Sequence, residues 1–392
     1  AQGAGDVPSN DCFVHAELLM APPPRMLLLG AGLSGGLLAL ALAELGVEVE
    51  LAGGSLADSA TGWSYGGVPW WAGAANPLGE LLATAPRRWD QLQQRHGELG
   101  LRPAQLWLHW PEQAPPQAVA KVQQALAGLP QQPELTALSA QEAIEQEPLL
   151  AGADLGGVMQ LPYWRVDPLA FQQGLERAWA AAGVQRCAPL PADELRQRLE
   201  QGEAVVLCSG AATLALLKAM GLQSPSALDF SWAGVGQCDG AQLAAERIVM
   251  PLLGQRSGRE TAASGAAVIC DPGLAPAPGG GLLVGQTSWF DRPIDDPPPV
   301  DEDLELLSGV RSRLVPSLIE SSHGPLRLQQ QPVAYSRDQQ PLLGPLPGCG
   351  NLSLFTGFGG PFALVPALTP LMAQALATED WSQIRGLGLL CR

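Results

Sequence analysis

An α/β fold is the class that the sequence predicts, and three observations predict it. Near the N-terminus a glycine-rich turn joins a short apolar strand to an apolar helix, and a second strand follows. Near the C-terminus another strand runs into a second glycine turn and a closing helix. The 392 residues are 46% hydrophobic and 15% charged, so the chain can bury a large core and wholesale disorder is excluded.

The N-terminal unit is the most specific motif. Met26–Leu29 predicts the first strand, residues 30–35 read G-x-G-x-x-G, and residues 36–45 predict a helix that Gly46 ends. Residues 47–51, with β-branched side chains, predict the second strand. In such a unit the first glycine allows a tight turn, the second admits a pyrophosphate, and the third lets the helix pack on the strand. The unit therefore predicts nucleotide binding at the helix N-terminus.

The same segment has a membrane alternative. Residues 26–43 carry no charge and are long enough to be considered as a transmembrane span. We interpret them as a buried strand and helix, because the glycine motif interrupts the run. Residues 1–25, broken by Pro22, Pro23 and Pro24, predict a flexible tail rather than a signal peptide.

Charge and cysteine usage narrow the function classes. The net charge of −16 disfavours nucleic acid and anionic membranes as partners, and no membrane insertion is expected. The seven cysteines lack C-x-x-C spacing and the four histidines lack ligand spacing, so neither a disulfide framework nor a metal site is predicted. This cysteine pattern favours a reducing, cytoplasmic location.

One position departs from the nucleotide-binding pattern. The acidic residue that should hold the ribose aligns with Gly53, and the nearest carboxylate, Glu50, lies inside the second strand. Either the backbone and a nearby hydroxyl replace the acid, or dinucleotide binding is weakened. Glu48 and Glu50 are themselves either exposed strand residues or cofactor contacts.

Capping residues and apolar spacing predict the remaining elements. Helices are predicted at 79–97 with a break near Pro86, 115–126, 139–146, 169–182, 191–201, 213–220, 301–315 and 365–377. Strands are predicted at 204–208, 282–285 and 352–355. Ser139 with Glu142 has the pattern of a capping box, and Asp167-Pro168 has that of an N-cap followed by proline.

Four motifs follow one another in an order typical of one family. They are the G-x-G-x-x-G unit, the helix start Arg165–Pro168, residues 205–211, and a C-terminal block. In that block Arg337–Pro345 resembles a D-x-x-P-x-I-G-P segment, and Thr356-Gly357 stands where a T-G-x-G-x-x-G turn is expected. Together the motifs resemble the D-amino-acid oxidase family of flavoproteins, which includes glycine oxidase and sarcosine oxidase.

The resemblance implies a Rossmann-like FAD-binding domain with an inserted mixed-sheet substrate domain. The FAD-binding domain would comprise residues 26–75, 165–215 and 325–392, and the substrate domain residues 76–164 and 216–324. The implied chemistry is transfer of hydride from the carbon beside an amine to flavin N5, with FAD rather than NAD as the cofactor.

The resemblance also implies a set of cofactor-binding residues. These are Gly30, Gly32, Leu33, Ser34, Gly35, Thr61, Ser209, Gly210, Gly357, Phe358, Gly359 and Gly360. The cysteine that binds flavin covalently in sarcosine oxidases has no match, since Cys349 falls in another part of the segment. Noncovalent FAD is therefore predicted.

The substrate side departs from the family. Val333 stands where the family has an arginine that binds the substrate carboxylate. Residues on the substrate side are instead sought among Arg337, Tyr335, Arg165, Trp70 and Arg327. Trp63, Trp70 and Trp71 form either an aromatic wall near the flavin or packing between the domains. Between 183 and 204 a helix takes the place of the family's β-meander.

Three functions remain open from the sequence. The first is an FAD-dependent oxidoreductase that oxidises a C–N bond of an amine or amino acid. The second is a degenerate family member that binds a nucleotide or a partner without turnover, as the residues at 53 and 333 would allow. The third is an NAD-linked dehydrogenase. A small-molecule substrate is expected, while its identity, the electron acceptor and the oligomeric state are left open.

Overall fold

The computed structural model describes residues 24–262, 264–318 and 324–391. The flexible tail predicted at 1–25 lies outside this range except for its last two residues. Arg25 already belongs to the first strand, where it pairs with Glu48, so the ordered fold begins one residue earlier than predicted.

The described strands and helices alternate along much of the chain. The strands are β1 Arg25–Leu29, β2 Glu48–Ala52, β3 Gly67–Val68, β4 Leu101–Trp110, β5 Thr136–Ser139, β6 Gly157–Val166, β7 Gln185–Cys187, β8 Ala204–Leu207, β9 Leu228–Cys238, β10 Arg247–Pro251, β11 Val268–Pro276, β12 Leu282–Trp289, β13 Arg327–Ser336, β14 Leu342–Leu346 and β15 Cys349–Thr356. The helices are α1 Leu33–Glu44, α2 Pro77–Ala83, α3 Ala85–His96, α4 Pro116–Ala127, α5 Ala140–Gln146, α6 Pro168–Ala182, α7 Ala192–Glu200, α8 Ala212–Ala219, α9 Arg256–Thr261, α10 Val300–Leu314, α11 Pro361–Thr378 and α12 Ser382–Gly386.

The first sheet has the order β14-β15-β8-β1-β2-β7 and is parallel except for the edge strand β14. Helices cover both of its faces. In β1, Leu28 packs into the core beneath α1 and α11, while Leu27 and Leu29 pack into the core beneath α7 and α8. Burial on both faces explains the continuous apolar run that resembled a membrane span.

The second sheet is mixed, as predicted, and has the order β13-β9-β12-β11-β10-β4-β6-β3, with β5 paired to β6. Strands β4 and β10 are parallel and the other pairs are antiparallel. Helix α10 packs on one face through Leu307 and Val310. The two sheets and their helices confirm the predicted α/β fold class.

Sheet membership differs from the predicted division at three places. Strands β3 and β13 belong to the second sheet, although their residues were assigned to the FAD-binding segments. Helices α2 and α3 pack on the first sheet's core through Leu82 and Trp89, although they were assigned to the substrate domain. The predicted division into an FAD-binding domain and a substrate domain stays a prediction.

Most predicted helices are present within a few residues. The break at Pro86 is confirmed, because this proline lies in the first turn of α3 and α2 ends before it. The capping box of Ser139 and Glu142 is also confirmed. The closing helix α11 begins at Pro361 rather than at Val365. It is the one described helix long and apolar enough to span a membrane by length and composition, and 61% of it is buried inside the protein.

Candidate active site

A cavity of about 850 Å³ lies between the carboxyl edge of the first sheet and one face of the second. Its lining includes the turns after β1, β2, β8 and β15 and side chains from β9, β12 and β13. In a parallel sheet the carboxyl ends of neighbouring strands meet at one edge, and ligands bind in the crevice outside that edge. The volume is within the range of small-molecule and cofactor sites.

The first glycine turn brings the backbone to the cavity at the N-terminus of α1. Gly30 has φ +112°, and a Cβ there would lie 2.4 Å from the carbonyl oxygen of Cys208. A Cβ on Gly32 would lie 3.2 Å from Thr61 Oγ1, which accepts a hydrogen bond from the Leu33 N–H. A cradle of this shape admits a phosphate only while glycine occupies it.

The second glycine turn is at the end of β15. Gly360, with φ +66°, is the N-cap of α11, and Gly357 also has a positive φ. The Thr356 hydroxyl is buried and has no hydrogen-bond partner among the described residues. Phe358 lines the cavity and packs edge-on against Phe355. Two helix N-termini and an unpaired buried hydroxyl therefore face one cavity, which fits a polar dinucleotide.

All of the predicted cofactor-binding residues line this cavity except Gly35. A Cβ on Gly35 would lie on the carbonyl oxygen of Gly30 and would contact the side chain of Cys208. Gly35 therefore serves the close packing of α1 on β1, which is the role that the motif gives to its third glycine.

The end of β2 shows why no acid stands at position 53. A Cβ on Gly53 would lie 2.7 Å from the backbone nitrogen of Ala31, so no side chain fits there. Glu50 binds Arg198 through two hydrogen bonds of 2.7 and 3.1 Å, and this arginine lowers the pKa of the Glu50 carboxyl. Arg186 donates to the carbonyl oxygens of Gly53 and Gly54. The cavity therefore meets backbone, not a carboxylate, at this point.

The substrate-side predictions separate into residues that line the cavity and residues that do not. Tyr335 and Val333 line it. The others are held elsewhere: Arg165 is buried against Glu246 and the Tyr65 carbonyl oxygen, Arg337 pairs with Asp229, Arg327 pairs with Asp239, and Trp70 is absent from the lining. These four residues therefore lie outside the described cavity lining, and a substrate-side role for them stays a prediction.

The tryptophans divide in the same way. Trp63 lines the cavity, whereas the Trp71 indole donates to the carbonyl oxygen of Pro162 and packs near Tyr163. Packing against the second sheet is therefore the role of Trp71, and Trp63 contributes to the cavity wall.

Several lining residues were not predicted from the sequence. They are Tyr65, Gln286, Gln329, Gln331, Arg256 and Glu260. The Tyr65 hydroxyl is buried without a partner among the described residues, and burial raises its pKa. The only sequence signal was the alternation of Gln329, Gln331, Val333 and Tyr335, which places these side chains on one face of a strand.

The thiols near the site are not poised for covalent chemistry. Cys208 lines the cavity, and burial raises its pKa well above the usual range. Cys349 lies in the β14–β15 hairpin outside the cavity lining. Within the described ranges, no group of three or more His, Cys, Asp and Glu side chains could hold a metal ion.

Glycine turns from a parallel sheet that open on a cavity under a mixed sheet are typical of dinucleotide-dependent oxidoreductases. The family model named DAO, FAD dependent oxidoreductase, matches residues 26–375, so the chain belongs to this family. The resemblance found in the sequence is confirmed, and so is FAD rather than NAD as the cofactor. No curated protein matched the chain.

Solved structures with the same fold are numerous. Glycine oxidase from Geobacillus kaustophilus has a TM-score of 0.66 at 20% identity, with 92% of this chain and 98% of that chain covered. Iminodiacetate oxidase from Chelativorans sp. BNC1 has a TM-score of 0.64 at 20% identity, with 90% and 94% covered. FAD-bound L-α-glycerophosphate oxidase from Mycoplasma pneumoniae has a TM-score of 0.67 at 13% identity, with 90% and 94% covered. At these identities the likeness establishes the fold.

Proposed function

We propose that this FAD-dependent oxidoreductase oxidises the C–N bond of a small amine or amino acid, with FAD bound noncovalently in the cavity. The observation that carries the proposal is that both glycine turns and the β13 wall line one cavity. Two of the structural neighbours, glycine oxidase and iminodiacetate oxidase, act on compounds that contain a C–N bond. Bound FAD supplies the hydride acceptor, at flavin N5.

The chain's own residues bind and orient the cofactor and the substrate. The N-terminus of α1, with Gly30 to Ser34 and Thr61, would hold the pyrophosphate. The turn from Gly357 to Gly360 and the N-terminus of α11 would stabilise negative charge that develops on the flavin pyrimidine. The second sheet would hold the substrate amine, which loses a hydride from its α-carbon to the flavin and a proton from its nitrogen to solvent. Water then hydrolyses the resulting imine to a carbonyl compound and an amine or ammonia.

Noncovalent attachment and a cytoplasmic location belong to the same proposal. Raised pKa values of the Cys208 and Cys349 thiols support noncovalent binding, because the thiolate is the reactive form. The described cysteines are free thiols, which supports a reducing compartment.

Titration of the FAD-free protein with FAD tests the proposal. We expect saturable binding at the cavity, seen as a change in flavin fluorescence, and complete release of the flavin on acid denaturation. Gly32→Val, which fills the cradle beside Thr61, should abolish binding, while Gly309→Ala, in α10 outside the cavity lining, where a Cβ meets nothing within 4 Å, should not. Failure of the wild-type protein to bind FAD would contradict the proposed cofactor site. Flavin that stays with the protein after denaturation would contradict noncovalent attachment.

The alternative is a family member that binds FAD without turnover. Val333 favours it, because valine cannot bind a substrate carboxylate. The alternative predicts that bound FAD is reduced by no amine or amino acid under anaerobic conditions, whereas the main proposal predicts reduction by at least one.

A further inference from the structure

The wall of the cavity opposite the glycine turns is formed by three neighbouring strands. The part of β13 that lines the cavity comprises Gln329 and the run from Gln331 to Tyr335, in which the side chains of Gln329, Gln331, Val333 and Tyr335 share one face of the strand. The antiparallel register sets Gln331 beside Ala233 and Gln329 beside Val235 of β9. On the other side of β9, Gln286 lies in the irregularity of β12 between Gly285 and Thr287.

Three carboxamides therefore surround a floor of small apolar side chains, Ala233 and Val235. None of the three forms a side-chain hydrogen bond with another described residue, and each is partly exposed to the cavity. The intervening Gln330 is the contrast: it points to the other face and donates to Asp303 and to the carbonyl oxygen of Pro298. A carboxamide offers two donors and one acceptor oxygen without any charge.

The charge of the cavity lining is unfavourable for an anion. Its charged residues within the described chain are Asp58, Arg256 and Glu260. The Arg256 guanidinium is 2.7 Å from the Glu260 carboxylate, so the one lining cation already has a counter-ion. Val333 adds none. Asp58 lies in the same loop as Thr61, on the cofactor side, and the charges of Arg256 and Glu260 cancel, so the described lining offers a substrate carboxylate no unpaired cation at the β13 wall.

We infer that the preferred substrate is an amine that carries a neutral hydrogen-bonding group, such as a carboxamide or hydroxyl, in place of an α-carboxylate. The inference rests on the proposed function, since it assumes that the amine is the reacting group. Gln286, Gln329 and Gln331 bind the neutral group. Gln331 is the main specificity-determining residue, because it is next to Val333 on the same face of β13.

Binding of two matched, non-oxidisable ligands tests the inference. Methoxyacetamide and methoxyacetate differ in one group, neutral in the first and charged in the second. Each is titrated into the FAD-loaded protein, and the shift of the flavin absorption spectrum gives the Kd. We expect methoxyacetamide to bind at least about tenfold more tightly, the equivalent of about 1.4 kcal/mol for one hydrogen bond.

Variants distinguish a loss of ligand recognition from a general loss of folding. Gln331→Leu should weaken methoxyacetamide binding about tenfold without changing FAD affinity. Val333→Arg should reverse the preference towards methoxyacetate. Gln124→Leu, on the exposed side of α4, is the matched control and should change neither.

The outcomes distinguish this inference from the proposed function. Equal affinity for both ligands, tighter binding of methoxyacetate, or no binding of methoxyacetamide overturns the inference. If methoxyacetamide is preferred but no amine reduces the bound FAD, the proposed function fails while the neutral binding site stands. If glycine reduces the FAD faster than glycinamide, the function stands and the inference falls.

Discussion

Gly53 stands where nucleotide-binding motifs of this kind usually have an acidic residue, and the local backbone explains the difference. The backbone of the first glycine turn approaches this position so closely that the acid common in such motifs has no room. We therefore expect any cofactor contact at this point to come from the backbone, where Arg186 donates to the carbonyl oxygens of Gly53 and Gly54.

Gly53→Asp should weaken FAD binding, although it restores the acid of the motif. Its Cβ would displace the backbone nitrogen of Ala31, and we expect a loss of at least about tenfold in affinity. Fluorescence titration with FAD measures the effect, with Gly309→Ala in α10 as the control. Tighter binding by the aspartate variant would show that the acid is missing for another reason.

Tyr65 carries a buried hydroxyl that has no partner among the described residues. An unpaired buried hydroxyl costs about 1–3 kcal/mol, so Tyr65→Phe should leave the free energy of unfolding of the FAD-free protein unchanged or raise it. Thr287→Val is the contrast, because the Thr287 hydroxyl donates to buried Asp303, and it should lower stability by about 1–3 kcal/mol. Urea unfolding of both variants measures these changes in the free energy of unfolding. A large loss of stability in Tyr65→Phe would show that the Tyr65 hydroxyl has a hydrogen-bond partner.

Helix α3 packs against the first turn of α11, next to the second glycine turn. Trp89 is fully buried, packs against Phe171 and Phe362, and donates to the Phe362 carbonyl oxygen in the first turn of α11. Trp89→Ala should destabilise the protein by about 3–5 kcal/mol and weaken FAD binding, because α11 loses its anchor. Leu169→Ala, at a half-exposed position of α6, should cost little. Equal urea midpoints for the two variants would refute this role.

In the first sheet a pH-dependent ion pair joins β2, the neighbour of edge strand β7, to α7. Arg198 lowers the pKa of Glu50 below its ordinary value of 4.5. The pair therefore stabilises the fold above that ordinary value, and its contribution is lost as pH falls through the lowered pKa of the folded state. Glu50→Gln should reduce stability at neutral pH and flatten the acid limb of the stability curve. An unchanged acid limb, measured by unfolding at a series of pH values, would exclude this pair as a contributor.

At the scale of the whole molecule, the sequence was informative where a site is contiguous. The turns at 30–35 and 356–360 could be predicted because the strand, the glycines and the helix follow one another in the chain. The wall of the second sheet could not, because Gln286 and Gln331 meet only through the order β13-β9-β12. The long strands β4, β6, β9 and β13 were also missed, since proline or glycine interrupts each of them.

Anaerobic reduction of the bound FAD is the decisive experiment for the proposed oxidation of a C–N bond. The FAD-loaded protein is mixed without oxygen with glycinamide, ethanolamine, glycine and sarcosine in turn, and the flavin absorption is followed. We expect at least one of these amines to bleach the flavin band, with glycinamide and ethanolamine, which carry no carboxylate, reacting fastest. An oxidised spectrum that no amine or amino acid changes would contradict the assignment of this chain as an amine-oxidising enzyme.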